Sequence, residues 1–186
     1  MKSIIIVCVI LFAGLNFAFI FPKVENTDFK DQVIHWEESN PLSWKNFIGR
    51  TKSGSSISAL TASAIEYAYE CKGNALDVTV KAIFIPEESW VKADAMNDYV
   101  LGHEQLHFDI TEIYARKLRK ELESKVTTCR DINRIESIAS VVIKEWKKEQ
   151  AKYDSDSRHS MDKELQALWE EKVFNDLELY KDYALN

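Results

Sequence analysis

The apolar positions change period part-way along the chain, and that change divides it. From about Val24 to Pro86 the pattern is that of β-structure. Odd positions from Ile57 through Ile65, Tyr67, Tyr69 and Cys71 are mostly apolar or small, while Glu66 and Glu70 fall on the other face, a period of two. Lys72-Gly73-Asn74 reads as a hairpin turn. A second strand follows with Leu76, Val78, Val80, Ala82 and Phe84 on one face and Asp77, Thr79 and Lys81 on the other. The two should pair antiparallel. Val33 to Trp36 is a shorter strand, Asn40 to Arg50 is a turn that plants Trp44 and Phe47 in the core, and Thr51 to Ser58 has the composition of a loop.

After Pro86 the spacing becomes three and four. Met96, Tyr99, Val100, Leu106, Ile110, Ile113, Tyr114, Leu118 and Leu122 predict an amphipathic helix over about 94–125. Ile132, Ile135, Ile138, Val142 and Trp146 predict a second over about 131–153, which the polar stretch Asp154 to Ser160 breaks. Leu165, Leu168, Trp169, Val173 and Leu177 predict a third over about 161–183. The expected fold is α+β: an N-terminal antiparallel sheet followed by three long helices packed on it. No internal repeat or linker interrupts residues 22–186, which read as a single domain.

The first 21 residues read differently. Met1-Lys2-Ser3 leads into an apolar run from Ile4 to Phe21, a secretory signal peptide or an N-terminal anchor. Either would export the domain, to the periplasm or the exterior, with any membrane contact made through that segment if it is not cleaved. Cys8 belongs to the run and has no lipobox-like setting. Export leaves Cys71 and Cys129 as a pair in an oxidising compartment. A bridge between them would close a loop of about 58 residues and stabilise the fold by about 4 kcal/mol in the chain-entropy model. Hydrophobic content of 46% and charged content of 29% suit a globular domain. The net charge of −6 provides no basic stripe for phosphates, so nucleic acid is not an expected partner.

The chemistry concentrates in Gly102-His103-Glu104-Gln105-Leu106-His107-Phe108-Asp109. Residues four apart on a helix differ by about 40° in direction and about 6 Å in rise, so His103 and His107 can share one ion. Glu104 lies about 100° round the helix from His103, beside the pair, where it can hold a water. This is the H-E-x-x-H arrangement, with two zinc-binding imidazoles and a glutamate base. Zn2+ is therefore the expected cofactor. The metzincin extension is excluded, because Ile110 and Ile113 stand where it needs glycine and histidine. Asp109 points away from the pair and reads as a supporting or packing carboxylate. A third ligand must come from elsewhere: His159, in the polar break, or Glu136, on the second helix. Tyr153 and Arg158 are chemically suited to stabilise an oxyanion. Gly102, inside the helix, suggests close approach of a neighbouring strand or substrate, and His35 reads as structural.

The chain resembles a bacterial family of uncharacterised exported proteins described as predicted secreted zinc-dependent proteases. The resemblance lies in "LSWKNFIG", the strand ending at Cys71, "LGHEQLHFDI", and "YDSDSRHS", where Tyr153, Asp154, Ser157 and His159 match and Ser160 replaces a common glycine. It implies His159 as third ligand and peptide hydrolysis as the activity, with a peptide or protein as partner. Two other readings remain at this point: a zinc amidase on cell-envelope substrates, and a non-catalytic exported binding protein stabilised by metal.

Overall fold

The computed structural model describes residues 33–51 and 54–185. The N-terminal apolar run and the start of the β-patterned region lie outside the described residues. Within them, strands β1 (Ile34–His35), β2 (Ala59–Leu60), β3 (Ser63–Lys72), β4 (Ala75–Phe84) and β5 (Trp90–Val91) precede helices α1 (Asp98–Lys125), α2 (Ile135–Ser157) and α3 (Lys163–Leu179). This is the expected α+β order.

The β3–β4 hairpin is the main antiparallel unit, in register from Ser63↔Phe84 to Lys72↔Ala75. Its tight connection is Gly73, at φ 65°, a left-handed conformation that costs glycine little. β1 adds to the far edge of β4, giving the order β1-β4-β3. The period-two run beginning at Ile57 does not form one strand. Its first part, β2, leaves the hairpin and pairs antiparallel with β5 as a separate two-stranded sheet. The switch is fixed at Ala62, whose N–H donates to Ser89 Oγ at 2.9 Å and whose carbonyl accepts from Ile85 N–H at 2.9 Å.

α1 begins later than its periodicity suggested, because Asn97 caps it by accepting from Val100 N–H at 3.0 Å. It lies between the sheet on one side and α2 and α3 on the other. It is therefore buried on more than one face, with Phe108, Thr111 and Ala115 inside alongside the predicted Leu106, Ile110, Ile113, Leu118 and Leu122. Phe47, Phe84 and Phe108 make a run of edge-on and tilted ring contacts at 5.1 and 5.8 Å, joining the turn after β1 to the sheet and to α1. Trp44 packs edge-on against Phe47 at 5.0 Å.

Three expectations are corrected in the helical half. α2 does not stop at Tyr153 but runs to Ser157, so Asp154 is helical. It ends where Arg158, His159 and Ser160 take φ of 49°, 52° and 68°, three left-handed residues that turn the chain into α3. The buried stripe of α3 is Gln166, Trp169 and Val173, while Leu165 and Leu168 stay exposed. Gly102 meets no close neighbour: a Cβ there would find no atom within 4 Å.

Cys71 and Cys129 form the expected disulfide, which ties the hairpin end of β3 to the 3-10 turn before α2. None of the described helices is long and apolar enough to cross a membrane.

Candidate metal centre

α1 and α2 together build the site. His103 and His107, one turn apart on α1, bring their Nε2 atoms to 3.3 Å. Asp154, in the last turn of α2, places Oδ1 at 3.1 Å from His107 Nε2 and 3.4 Å from His103 Nε2. A four-coordinate ion bound by nitrogen and oxygen at 2.0–2.2 Å has ligand–ligand edges of about 3.3–3.6 Å. The triangle on the three atoms matches one face of such a tetrahedron, and His103, His107 and Asp154 form a group that could hold a metal ion.

Charge arranges the group in the same sense. Burial resists protonation of His107, but the Asp154 carboxylate, Glu104 and the Gln150 amide oxygen outweigh it and lift this imidazole to about 9. Burial also resists ionisation of Asp154, yet hydrogen bonds from His103 and His107 and the charges of His107 and His159 hold its carboxyl well below the usual range. An anionic oxygen so strongly favoured, with two imidazole nitrogens facing it, is a donor set for a cation.

The three groups open onto a cleft of about 660 Å³, lined also by Glu104, His159, Trp146 and the segment from Gly54 to Thr61. Glu104 is 3% exposed, and its Oε2 has no hydrogen-bond partner among the described residues. Thr61 Oγ1 donates to the Glu104 carbonyl at 3.1 Å, fastening this turn of α1 to the chain leaving β2. A buried carboxylate oxygen without a partner is costly as a structural element.

His159, the expected third ligand, reaches the same rim but stands outside the group. Its Nδ1 lies 3.2 Å from Asp154 Oδ1, and its side chain is 54% exposed. Glu136 is exposed in the first turn of α2, 18 residues before Asp154 and so about 27 Å away along the helix. It cannot reach the pair. Tyr153 is fully buried between the two histidine rings, 4.7 and 4.8 Å from them, and its hydroxyl donates to Gln166 Oε1 at 2.8 Å. Burial pushes that phenol far above its usual range. Neither Tyr153 nor the exposed Arg158 lines the cleft, so neither is placed as an oxyanion donor. Asp109 accepts from Trp36 Nε1 and from Gln105 Nε2, both at 2.7 Å, and serves packing as expected. His35 is exposed on β1, opposite Ile83.

Asp154 lies in a polar stretch whose composition predicts a helix break, so nothing in that composition points to its place beside the histidines. The signal was available in the spacing. Gln150, Tyr153 and Ser157 continue the buried stripe of Val142, Ile143 and Trp146 with polar groups, and Asp154 lies one turn after Gln150.

A model of one protein family matches residues 42–160, from the turn before Trp44 to the residue after His159. The chain belongs to that family. It is described as bacterial protein of unknown function (DUF922). The matched span holds His103, Glu104, His107 and Asp154 and stops before α3. No curated protein and no solved structure matches the chain.

Proposed function

We propose that this protein is an exported zinc-dependent peptidase whose metal is held by His103, His107 and Asp154. The observation that carries the reading is Glu104: a buried carboxylate with an unpartnered oxygen, lining the same cleft as the three candidate ligands. A closed structural site would use four protein ligands and need no such group. When bound, zinc would lower the pKa of a water and polarise a peptide carbonyl. Glu104 takes the proton from the attacking water and delivers it to the departing amine nitrogen. Asp154, kept ionised, supplies the negative charge that two neutral imidazoles lack.

The substrate would lie along the 54–61 segment. Among the described residues β2 pairs only with β5, leaving its other edge without a strand partner there, and Ala59 and Leu60 line the cleft. An extended peptide adding to that edge would be held through its main chain, which tolerates many side chains. The apolar N-terminal run and the Cys71–Cys129 disulfide support an exported location.

The test is zinc stoichiometry of the purified chain together with hydrolysis of unstructured protein by the parent and by Glu104→Gln. Metal retained with hydrolysis lost supports the proposal. Equal hydrolysis by the variant, or a parent that takes up no transition metal, ends it. Cleavage of cell-wall amides in place of peptides would keep the site and reassign the substrate.

A further inference from the structure

Each candidate metal-binding histidine has its second ring nitrogen held by a glutamine, and the two glutamines come from different helices. His107 Nδ1 lies 2.5 Å from Gln150 Oε1 on α2, and His103 Nδ1 lies 3.1 Å from Gln166 Oε1 on α3. Both amides are 5% exposed or less.

Neither amide is free to turn over. Gln150 Nε2 donates to the His107 carbonyl at 2.8 Å and to Thr111 Oγ1 at 3.1 Å. Gln166 Nε2 donates to Glu170 Oε1 at 3.2 Å, while its Oε1 also accepts from the Tyr153 hydroxyl. A backbone carbonyl and a carboxylate accept only, so each NH2 is committed to them. The amide oxygen must then face the imidazole, and an amide oxygen can only accept. Each Nδ1 therefore keeps a proton, so the proton that a cation displaces is the one on Nε2, whose lone pair is then directed to the point shared with the other histidine and Asp154.

We propose that Gln150 and Gln166 are paired positioning residues that fix both imidazoles in the Nδ1–H form and so prepare the site for a cation. This rests on the metal-binding part of the reading above and not on peptide hydrolysis. It also places α3 within the functional unit. Gln166 lies beyond residues 42–160, so the site extends past the matched span. The orientation of α3 agrees: a glutamine occupies the buried stripe while Leu165 and Leu168 face outward.

The experiment titrates Zn2+ into the full chain against a chromophoric chelator, with Co2+ absorption as a report of coordination and melting in EDTA as a report of the metal-free fold. Gln150→Leu and Gln166→Leu should each weaken Zn2+ binding about 10–100-fold and alter the Co2+ bands while still melting cooperatively without metal. The exchange Gln166→Glu with Glu170→Gln keeps an acceptor toward His103 and the 166–170 bond with its roles reversed. It should restore most of the affinity. Should Gln166→Leu fail to fold, Gln150→Leu and the exchange carry the test. Leucine variants that fold and bind as tightly as the parent overturn the inference, as does an exchange that restores nothing. A parent that binds no metal removes the earlier reading instead, and is distinguished by that result alone.

Discussion

Asp154 Oδ1 stands 3.1 Å from His107 Nε2 across the junction of α1 and α2, and the same oxygen lies 3.2 Å from His159 Nδ1. One carboxylate atom thus separates a largely buried imidazole from an exposed one. If Asp154 binds the metal, Asp154→Ala removes a ligand and should weaken Zn2+ binding by at least two orders of magnitude, whereas His159→Ala removes a contact to a ligand and should cost about tenfold. Chelator competition on the two variants decides between them. A larger loss for His159→Ala would return the third position to the histidine.

Without metal, the same contacts should make stability depend on pH. His107 is lifted from 6.5 to about 9, burial opposing the shift and Asp154, Glu104 and Gln150 driving it. Its folded value exceeds its unfolded one, so the stabilisation is complete below about 6.5 and disappears as pH rises through 9. Asp154 is depressed, so its contribution is present above about 4 and is lost only as pH falls below that value. The His107 shift corresponds to about 3 kcal/mol. In EDTA the parent should melt several degrees lower at pH 9.5 than at pH 6, relative to His107→Gln over the same range. Parallel curves for the two proteins would show that the pair does not stabilise the metal-free fold. Zinc affinity should rise over the same interval, because the metal must displace the proton.

The legible parts of the fold were those set by local periodicity: the β3–β4 hairpin with its Gly73 turn, the three helices, and the cysteine pair. H-E-x-x-H was legible because both imidazoles lie on one helix, where spacing alone fixes their approach. Residues whose role depends on a second element were not. Asp154 sits in a run of polar residues that reads as a break, yet Ser157 Oγ donates to the Tyr153 carbonyl at 2.8 Å within the last turn of α2. Gln166 is hidden in the sequence because apolar spacing favours Leu165 and Leu168. Only the neighbouring histidine and tyrosine explain why a polar side chain turns inward there. The division of the period-two run into β2 and β3 depends on Ser89, a residue 27 positions from Ala62.

A second buried charge cluster, away from the cleft, should govern stability. Glu112 is 3% exposed and accepts from Arg116 Nε at 2.9 Å and from Arg119 Nη1 at 2.9 Å. Those arginines in turn donate to the carbonyls of Leu177 and Tyr183, both at 2.7 Å, and Arg119 also donates to that of Val80 at 2.9 Å. One carboxylate thereby orients two guanidinium groups that fasten the C-terminal segment and β4 to α1. Glu112→Gln leaves both cations without their counter-charge and should cost about 3–5 kcal/mol in urea unfolding. A loss under 1 kcal/mol would mean that the carbonyls alone hold the arginines. Zn2+ affinity of the folded fraction should be unchanged, since none of these groups lines the cleft.

Gly102 offers the opposite sign. It sits in the first turns of α1, immediately before His103, and a Cβ would meet no atom within 4 Å. No close approach therefore demands glycine, and the helix carries only the entropic cost of its freedom, about 1 kcal/mol against alanine. Gly102→Ala should stabilise the domain by about 0.5–1 kcal/mol, read as a higher urea midpoint at unchanged slope. The added methyl is too short to cover the Nε2 atoms of His103 and His107, so chelator competition should return the parent's Zn2+ affinity. If the variant is more stable but hydrolyses peptide more slowly, the open space beside Gly102 is occupied by substrate, and the glycine is retained for the reaction rather than for the fold.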